Sequence, residues 1–245
     1  MFLKKIKLFL HKNYKILRSN KSTNSSPIKL CQKNLSLIQK HVMVPTYDRS
    51  SLTASIMHIG VGGFHRSHQA LYAERLITEY DIRDWGICGI GLLSFDHKIF
   101  EIMKQQDCLY TLITKELDGK VNGRVIGSIV EYLFAPEHPM VVIEKLSGPK
   151  VNIISLTITE CGYNFKESTN GFDYDNPAIF KDIKNPDSPI TVFGYLARAL
   201  KTRKEKGTGG CTILSCDNIP KNGDMTKAML ECYIKVIILF WCCVL

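Results

Sequence analysis

A glycine-rich turn is the first stretch of this sequence whose residue types and spacing could do chemistry. The apolar run Ile56–Ile59 leads into Gly60, Gly62 and Gly63, and a helix is expected over Ser67–Glu79. Together, a strand, a tight glycine turn and a helix start form a phosphate cradle. The glycines let the backbone approach an anion, and free N–H groups stabilise it. The spacing therefore favours the start of a nucleotide-binding unit.

The third position of this glycine pattern departs from its usual form. Gly60 and Gly62 fit G-x-G-x-x-G/A, but His65 stands where a third small residue normally lets helix and strand pack closely. We expect Gly63 to take part of that packing role. Glycine turns are common, so it is the strand before and the helix after that favour nucleotide binding.

An acidic residue follows the second apolar strand. Asp96 comes after the expected strand Gly86–Gly91, where a Rossmann unit places the carboxylate that binds the adenosine ribose. It lies further from Gly60 than the usual spacing of about 20 residues. The alternative is that Asp96 caps the helix expected over Phe95–Gln106, a position that suits aspartate equally well.

Two more polar groups follow buried strands further along the chain. Glu160 comes after the expected strand Val151–Thr157, and Asn218 comes after Cys211–Ser215. Open α/β sheets bind ligands at the carboxyl ends of their strands, so both side chains are placed for a site. Glu160 is either a proton carrier or a cap, and Asn218 either donates a hydrogen bond to a substrate oxygen or shapes a turn.

The elements that must position these residues alternate between strands and helices. Mostly continuous apolar strands in such an order predict an α/β fold, with a parallel sheet covered by helices on both faces. The further strands are expected over Tyr110–Lys115 and Val125–Phe134, and the further helices over Pro136–Lys145 and Val192–Lys204.

Three connecting or terminal segments carry expectations of their own. Asp118 and Gly119 between two strand-like runs predict a hairpin turn. The polar residues 164–190 are expected to form a long surface loop. The apolar run Val236–Leu245 is half as long as a membrane-spanning helix requires, so it is either a buried strand or helix end, or a tail foreign to the fold.

The charge of the protein is concentrated at one end. Its net charge is +9, and residues 1–47 contain ten Lys or Arg and no acidic residue, which leaves 9 − 10 = −1 for residues 48–245. The near-neutral body argues against a nucleic-acid-binding protein, and a basic-tailed nucleic-acid or membrane-surface binder is supported by residues 1–47 alone. That segment is either a disordered basic extension or a mitochondrial transit peptide.

The nine cysteines contain no C-x-x-C pair, which excludes a zinc ribbon and a thioredoxin-like motif. Their odd number and their positions in apolar runs favour a reducing compartment. We therefore expect a cytoplasmic protein, with the mitochondrion as the alternative suggested by the basic extension.

Taken together, these segments resemble a known family. Gly60-Val-Gly-Gly-Phe-His-Arg, Trp85-Gly-Ile-Cys-Gly-Ile-Gly, Thr159-Glu-Cys-Gly-Tyr and Ser215-Cys-Asp-Asn-Ile-Pro-x-Asn-Gly occur in the order and spacing of the polyol-specific long-chain dehydrogenases. These include mannitol 2-dehydrogenase and fructuronate reductase. The resemblance covers residues 52–231 and implies a Rossmann-like, doubly wound sheet.

The resemblance also implies roles for particular residues. It implies that Asn218 is half of an oxyanion-stabilising pair on the reacting C–O group, that Glu160 belongs to a proton path, and that no metal takes part. Asp96 would contact the adenosine ribose and favour NAD over NADP. The implied cofactor-binding residues are Gly60, Gly62, Gly63, Phe64, His65, Arg66 and Asp96.

One part of the family pattern is missing. In this family a lysine within Lys-x4-Asn-x2-His is the general base, and none of the seven histidines has Asn three residues before it. The expected domains are thus a basic extension over 1–47, an NAD-binding domain over 48–231 and an apolar tail over 232–245. We interpret the chain as a truncated NAD-dependent polyol dehydrogenase.

Two functions follow from that interpretation. The first is polyol-to-ketose hydride transfer, with this chain mainly as the cofactor domain. The alternative is a non-catalytic nucleotide-binding fragment or regulatory module. The expected partners are NAD(H), and a polyol or ketose only if a second domain is supplied, with neither nucleic acid nor membrane.

Overall fold

A five-stranded parallel sheet organises the protein. A computed structural model describes residues 27–244, with side chains as far as Phe240. The strands lie in the spatial order β5-β2-β1-β6-β9, which is the order of a Rossmann-like fold with the first strand at the centre. Their bounds are Ala54–Ile59 (β1), Gly86–Gly91 (β2), Ile129–Phe134 (β5), Ile153–Leu156 (β6) and Thr212–Ser215 (β9).

Helices cover both faces of the sheet, as the continuous apolar strands predict. One core contains Met57 and Ile59 of β1, and the opposite core contains Ile56. Because successive side chains of a strand point to opposite faces, a strand covered on both sides is apolar throughout. The α-helices are Leu35–Ile38 (α1), Gly63–Ser67 (α2), Gln69–Tyr80 (α3), His97–Gln105 (α4), Pro139–Leu146 (α5), Pro177–Lys184 (α6), Val192–Lys206 (α7) and Asn222–Val244 (α8).

A hairpin stands beside the main sheet. Tyr110–Lys115 (β3) pairs with Val121–Ile126 (β4) in antiparallel register, and Gly119 in the connecting turn has φ +86°. The expected hairpin turn at Asp118 and Gly119 is therefore confirmed. The single strand expected over Val125–Phe134 is wrong, because the chain leaves the hairpin after Ile126 and joins the main sheet as β5.

The helix expected over Ser67–Glu79 consists of two pieces. A first short helix begins at Gly63, directly after the glycine turn, and His68 between the pieces has φ −123° and ψ −82°. Both helical geometry and strand geometry exclude these angles, so the chain bends at this point. The other expected helices, Phe95–Gln106, Pro136–Lys145 and Val192–Lys204, begin and end within three residues of their observed bounds.

The long loop expected over residues 164–190 is wrong. The segment contains a small antiparallel pair, Phe165–Lys166 (β7) with Gly171–Phe172 (β8), followed by helix α6. Asn176 accepts a hydrogen bond from the backbone N–H of Ala178 and caps that helix, and Ile179 and Ile183 are buried in the core. The segment is thus part of the folded domain.

Part of the expected basic extension is also folded. Within residues 27–47, Cys31, Leu35 and Tyr47 are buried, and Leu35 packs with Leu109 and Val125. The Tyr47 hydroxyl donates to the buried carboxylate of Glu74 at 2.7 Å. A disordered extension reaching residue 47 is therefore wrong for this stretch. Residues 1–26, which include the candidate transit peptide, lie outside the described residues.

One helix spans the expected boundary at Glu231. Helix α8 runs from Asn222 to Val244, and Met229, Leu230 and Tyr233 are all buried in the same core. The apolar run that begins at Val236 is helical as far as Val244, in agreement with one of the expectations. Its described side chains are not buried as expected, since Ile238 and Leu239 are 56% and 64% exposed. Among the described residues, no helix combines the length and the apolar character needed to cross a membrane.

Candidate functional site

The glycine turn lies at the point where the strand order of the sheet reverses, between β1 and β6. Gly60 follows β1 with φ +95°, a conformation that side chains other than glycine rarely adopt. A Cβ at this position would overlap the carbonyl oxygen of Thr157, which follows the neighbouring strand β6. Gly60 also donates its N–H to the carbonyl of Ile90 on β2 at 3.0 Å. The turn is therefore fixed to both strands that flank β1.

Gly62 and Gly63 leave open space beside the backbone of the turn. A Cβ on Gly62 would meet only the Gly60 carbonyl oxygen at 3.9 Å, and a Cβ on Gly63 would meet nothing within 4 Å. The expectation that Gly63 supplies close helix packing is therefore wrong. Open space above a backbone turn is what an approaching phosphate requires.

The side chains that follow the turn have different surroundings. Phe64 is 56% exposed and stacks on the ring of His68, with centroids 4.5 Å apart. Arg66 donates from its guanidinium to the carbonyl of Val61 at 2.6 Å, so it stabilises the turn from within. Arg66 is thus tied to the protein backbone, whereas the Phe64 ring faces solvent.

His65 fills the third position of the glycine pattern in an unexpected way. Its ring is 1% exposed and stacks on His58 of β1, with centroids 3.5 Å apart and an angle of 11° between the ring planes. Because the two rings stack in nearly parallel planes, the His65 ring can pack against strand β1 at a position where a small residue is usual. The fold therefore accommodates His65 at the third position of the glycine pattern by stacking its ring on His58 of β1.

Burial sets the protonation of both rings. Removal from water lowers the pKa of His65 to about 4, and it lowers the pKa of His58 well below the usual value. Both imidazoles are therefore neutral near pH 7. The Nε2 atom of His65 is buried and has no hydrogen-bond partner among the described residues.

A cavity of about 610 Å³ opens at the carboxyl ends of β1, β2 and β6. This is the edge where open α/β sheets bind ligands. Three of the predicted site residues line it together, and the others do not. These three are Gly60, Gly62 and Asp96.

Asp96 both caps a turn and faces the cavity. Its carboxylate accepts the backbone N–H of Leu93 at 2.9 Å, which stabilises the short 3₁₀ turn Ser94–Asp96 ahead of α4. A Cβ on Gly91 would lie 2.8 Å from the Cβ of Asp96, so the glycine at the end of β2 makes room for this side chain. The expectation that Asp96 caps helix α4 is wrong, because its side chain makes no capping hydrogen bond to that helix and accepts from Leu93 instead. The ribose-binding role of Asp96 stays a prediction.

Glu160 and Asn218 stand outside the cavity wall on neighbouring loops. Both are exposed, Glu160 at the start of the 3₁₀ turn Glu160–Tyr163 and Asn218 in the connection between β9 and α8. The structure places both at the carboxyl edge of the sheet, as the strand order predicts. Neither forms part of the wall that contains Gly60 and Asp96.

Asp217 holds these two loops together, and the sequence analysis missed it. Its carboxylate accepts the backbone N–H groups of Ile158 at 3.0 Å and Thr159 at 2.9 Å, and the hydroxyl of Tyr163 at 2.6 Å. The signal in the sequence was an acidic residue two positions after a buried strand end. Thr159 has φ +60°, so the loop that precedes Glu160 is held in a left-handed conformation.

The described residues contain no group of three or more His, Cys, Asp or Glu side chains arranged to hold a metal ion.

The fold and the glycine turn define a Rossmann-like α/β domain. The chain belongs to the mannitol dehydrogenase family, since residues 54–241 match the family model described as the mannitol dehydrogenase Rossmann domain. The match continues past Glu231, where the sequence resemblance ends, and includes most of helix α8.

Named relatives and solved structures agree with this assignment. Mannitol dehydrogenase 2 of Saccharomyces cerevisiae is 42% identical over 216 residues, which cover 88% of this chain and 43% of the relative. The mannitol 2-dehydrogenase of Pyrenophora tritici-repentis is 42% identical over 218 residues, covering 89% of this chain and 38% of the relative. This chain therefore spans less than half the length of these curated relatives.

Among solved structures, the mannitol 2-dehydrogenase of Pseudomonas fluorescens in ternary complex with NAD and D-mannitol has a TM-score of 0.82 and 40% identity. A D-sorbitol dehydrogenase in substrate-free form has a TM-score of 0.81 and 39% identity. Each alignment covers 86% of this chain and 43% of the solved chain.

Proposed function

We propose that this chain is the NAD-binding domain of a mannitol 2-dehydrogenase-type oxidoreductase. The observation that carries the proposal is the single cavity that joins the turn of Gly60 and Gly62 to the carboxylate of Asp96. A dinucleotide needs a place for its pyrophosphate and a place for its adenosine ribose, and the glycine turn and Asp96 on one wall would supply them.

The residues present fit this cofactor. The turn of Gly60 and Gly62 would receive the pyrophosphate, because the space above Gly62 is open and both glycines line the cavity. Asp96 would accept hydrogen bonds from the adenosine ribose, and its charge would repel the 2′-phosphate of NADP. Gly63, Phe64, His65 and Arg66 belong to the same segment, with Phe64 exposed to solvent and Arg66 supporting the turn.

When bound, NAD supplies the acceptor for a hydride from a secondary alcohol. Asn218 would donate an amide N–H to the reacting oxygen, and Glu160 would take part in moving a proton away from it. Both side chains are exposed on loops that Asp217 ties together at the carboxyl edge of the sheet. Mannitol is the substrate we propose for a full-length protein with this domain.

A cofactor titration tests the proposal. We expect the purified chain to bind NADH with a dissociation constant in the micromolar range and to bind NADPH at least about tenfold more weakly, since a carboxylate near the ribose disfavours a second charge. Isothermal titration calorimetry with the two cofactors measures both constants. Absence of NADH binding, or equal affinity for NADPH, would contradict the proposal.

A further inference from the structure

A polar network lies directly beneath the glycine turn, with His58, His65 and Ser155 buried and Thr157 reaching the cavity wall, and no role proposed above uses His58 or Thr157. It connects strand β1, strand β6 and helix α3. Buried polar side chains are costly unless they are hydrogen-bonded, so a network of this kind is usually retained for a purpose. Its members are His58, His65, Gln69, Ser155 and Thr157.

The centre of the network is His58, which is fully buried. Its Nδ1 lies 2.8 Å from the hydroxyl of Ser155, and its Nε2 lies 3.1 Å from the carbonyl oxygen of Gly60 and 2.9 Å from the hydroxyl of Thr157. A carbonyl oxygen only accepts hydrogen bonds. A proton on the Nε2 atom satisfies this carbonyl oxygen, and Nδ1 then competes with the Oε1 atom of Gln69, at 3.2 Å from Ser155, for the single proton of the Ser155 hydroxyl.

Three donors consequently meet at the carbonyl oxygen of Gly60. These are the Nε2–H of His58 at 3.1 Å, the hydroxyl of Thr157 at 2.5 Å and the backbone N–H of Gly62 at 2.7 Å. Glycine is the most permissive residue of the chain, so a Gly-x-Gly turn has many accessible shapes unless its surroundings select one. In this turn, the three hydrogen bonds to the Gly60 carbonyl oxygen fix the orientation of its peptide group.

We propose that His58, acting with Thr157, is a positioning residue that holds the phosphate-binding turn in its ligand-ready shape. The proposal rests on the proposed binding of NAD at this turn. A turn that is already ordered loses less conformational entropy when the pyrophosphate binds, so affinity for the dinucleotide is higher. His65 stacks on the His58 ring and closes the network from the helix side.

Two substitutions of His58 separate this role from simple burial. Glutamine places an amide N–H close to the position of Nε2, whereas the amide of asparagine ends near Nδ1 and does not reach Gly60. We expect His58→Gln to keep the dissociation constant for NADH within about threefold of the unmodified chain. We expect His58→Asn to raise it about tenfold or more, the effect of losing one buried hydrogen bond.

The same titrations are made with adenosine as a second probe. This ligand has the ribose that Asp96 would bind and carries no phosphate for the glycine turn. We expect its affinity to change less than about twofold in either variant, because the network contacts the turn and not Asp96. Equal NADH affinity for the glutamine and asparagine variants, or equal losses with both probes, would overturn the positioning role.

A third variant keeps the test decisive if the His58 variants fail to fold. Thr157→Val preserves side-chain shape and removes the hydroxyl that bonds both Gly60 and His58. We expect NADH to bind about fivefold more weakly, and unchanged affinity would overturn the proposal. Ser147→Ala is the control, since it removes a buried hydroxyl that bonds Ile143 on helix α5 and does not line the cavity.

The control variant is expected to lose stability without losing affinity for NADH. Failure of the unmodified chain to bind NADH at all would refute the proposed function itself. Such a result differs from one in which NADH binds normally and the variants bind equally well.

Discussion

At the level of single residues, Asp96 has one carboxylate that serves both a turn and the proposed ribose site. Asp96→Ala removes the acceptor for the ribose hydroxyls and the charge that disfavours NADPH. We expect the dissociation constant for NADH to rise about tenfold or more, since hydrogen bonds to charged groups contribute about 1.5–3 kcal/mol. NADPH should lose much less affinity, and titration of both cofactors measures the change in their ratio.

The matched control for this variant is Asn218→Ala. Asn218 is an exposed polar residue at the same edge of the sheet but outside the cavity wall. Its removal should leave NADH affinity within about twofold of the unmodified chain, because single surface substitutions change free energies by about 0.5 kcal/mol at most. If both variants bind NADH alike, Asp96 does not belong to the cofactor site.

The backbone conformation and surroundings at position 60 require glycine. Gly60→Ala combines an unfavourable φ of +95° with an overlap between the new Cβ and the Thr157 carbonyl oxygen. We expect the free energy of unfolding to fall by about 2–4 kcal/mol, which chemical denaturation measures. Gly63→Ala, in open space at the start of helix α2, should change it by less than about 1 kcal/mol. Similar losses in the two variants would argue against a specific requirement at Gly60.

Single residues also show how far sequence reasoning reaches. Gly60, Gly62 and Asp96 were found because a dinucleotide motif has a fixed order along the chain, and the structure brings them to one cavity. The role of His58 could not be found this way. Its partners Ser155 and Thr157 are about a hundred positions away in sequence, and only the pairing of β1 with β6 brings them together.

At the level of elements, the contact between strand β1 and helix α2 is a pair of stacked neutral histidines. The pKa of His65 is lowered to about 4, whereas the usual value in an unfolded chain is about 6.5. Between these pH values the unfolded chain binds more protons than the folded one, so stability is complete above pH 6.5 and falls as the pH drops toward 4. His65 alone should cost about 2 kcal/mol between pH 7.5 and pH 5.

The variant His65→Gln isolates this effect. The buried His58 acts in the same direction, because its pKa is also lowered. The Glu74 and Asp182 carboxyls act in the opposite direction, because burial raises their pKa. Comparing urea unfolding of the two proteins at both pH values cancels their contribution. We expect the unmodified chain to lose more stability on acidification than the variant does, and parallel losses would show that His65 does not titrate as stated.

Helices and strands also differ in how well the sequence predicts them. The predicted bounds of Gly86–Gly91 and Tyr110–Lys115 agree with the observed strands to the residue. Helix α6 was missed because the surrounding Asn, Asp and Pro residues favour a loop. Its signal was nevertheless present, with Asn176 as the cap, Pro177 at the first helical position and two isoleucines one turn apart.

At the level of the whole molecule, cofactor binding and catalysis are expected to separate. The 245 residues contain no Lys-x4-Asn-x2-His, and the chain covers 43% of the mannitol 2-dehydrogenase from Pseudomonas fluorescens. Loss of a general base costs about 10²–10⁴-fold in rate, and loss of substrate positioning can cost more. We expect mannitol-dependent NADH formation at least about 10⁴-fold slower than for that enzyme.

An absorbance assay at saturating NAD and mannitol checks this, with the Pseudomonas fluorescens enzyme measured alongside. Robust turnover by the 245-residue chain would contradict the expectation and would require a different proton acceptor. Binding of NADH without turnover is the outcome that agrees with a cofactor domain.

The central position of β1 also has a consequence for synthesis of the protein on the ribosome. Strand β1 emerges first of the five, yet its two neighbours emerge later, and β6 follows about a hundred residues behind. During translation both edges of an apolar strand therefore remain unpaired, which invites pairing with other nascent chains. The central position of β1 places Gly60 in the middle of the sheet. It also leads us to expect that molecular chaperones are needed most before β6 emerges.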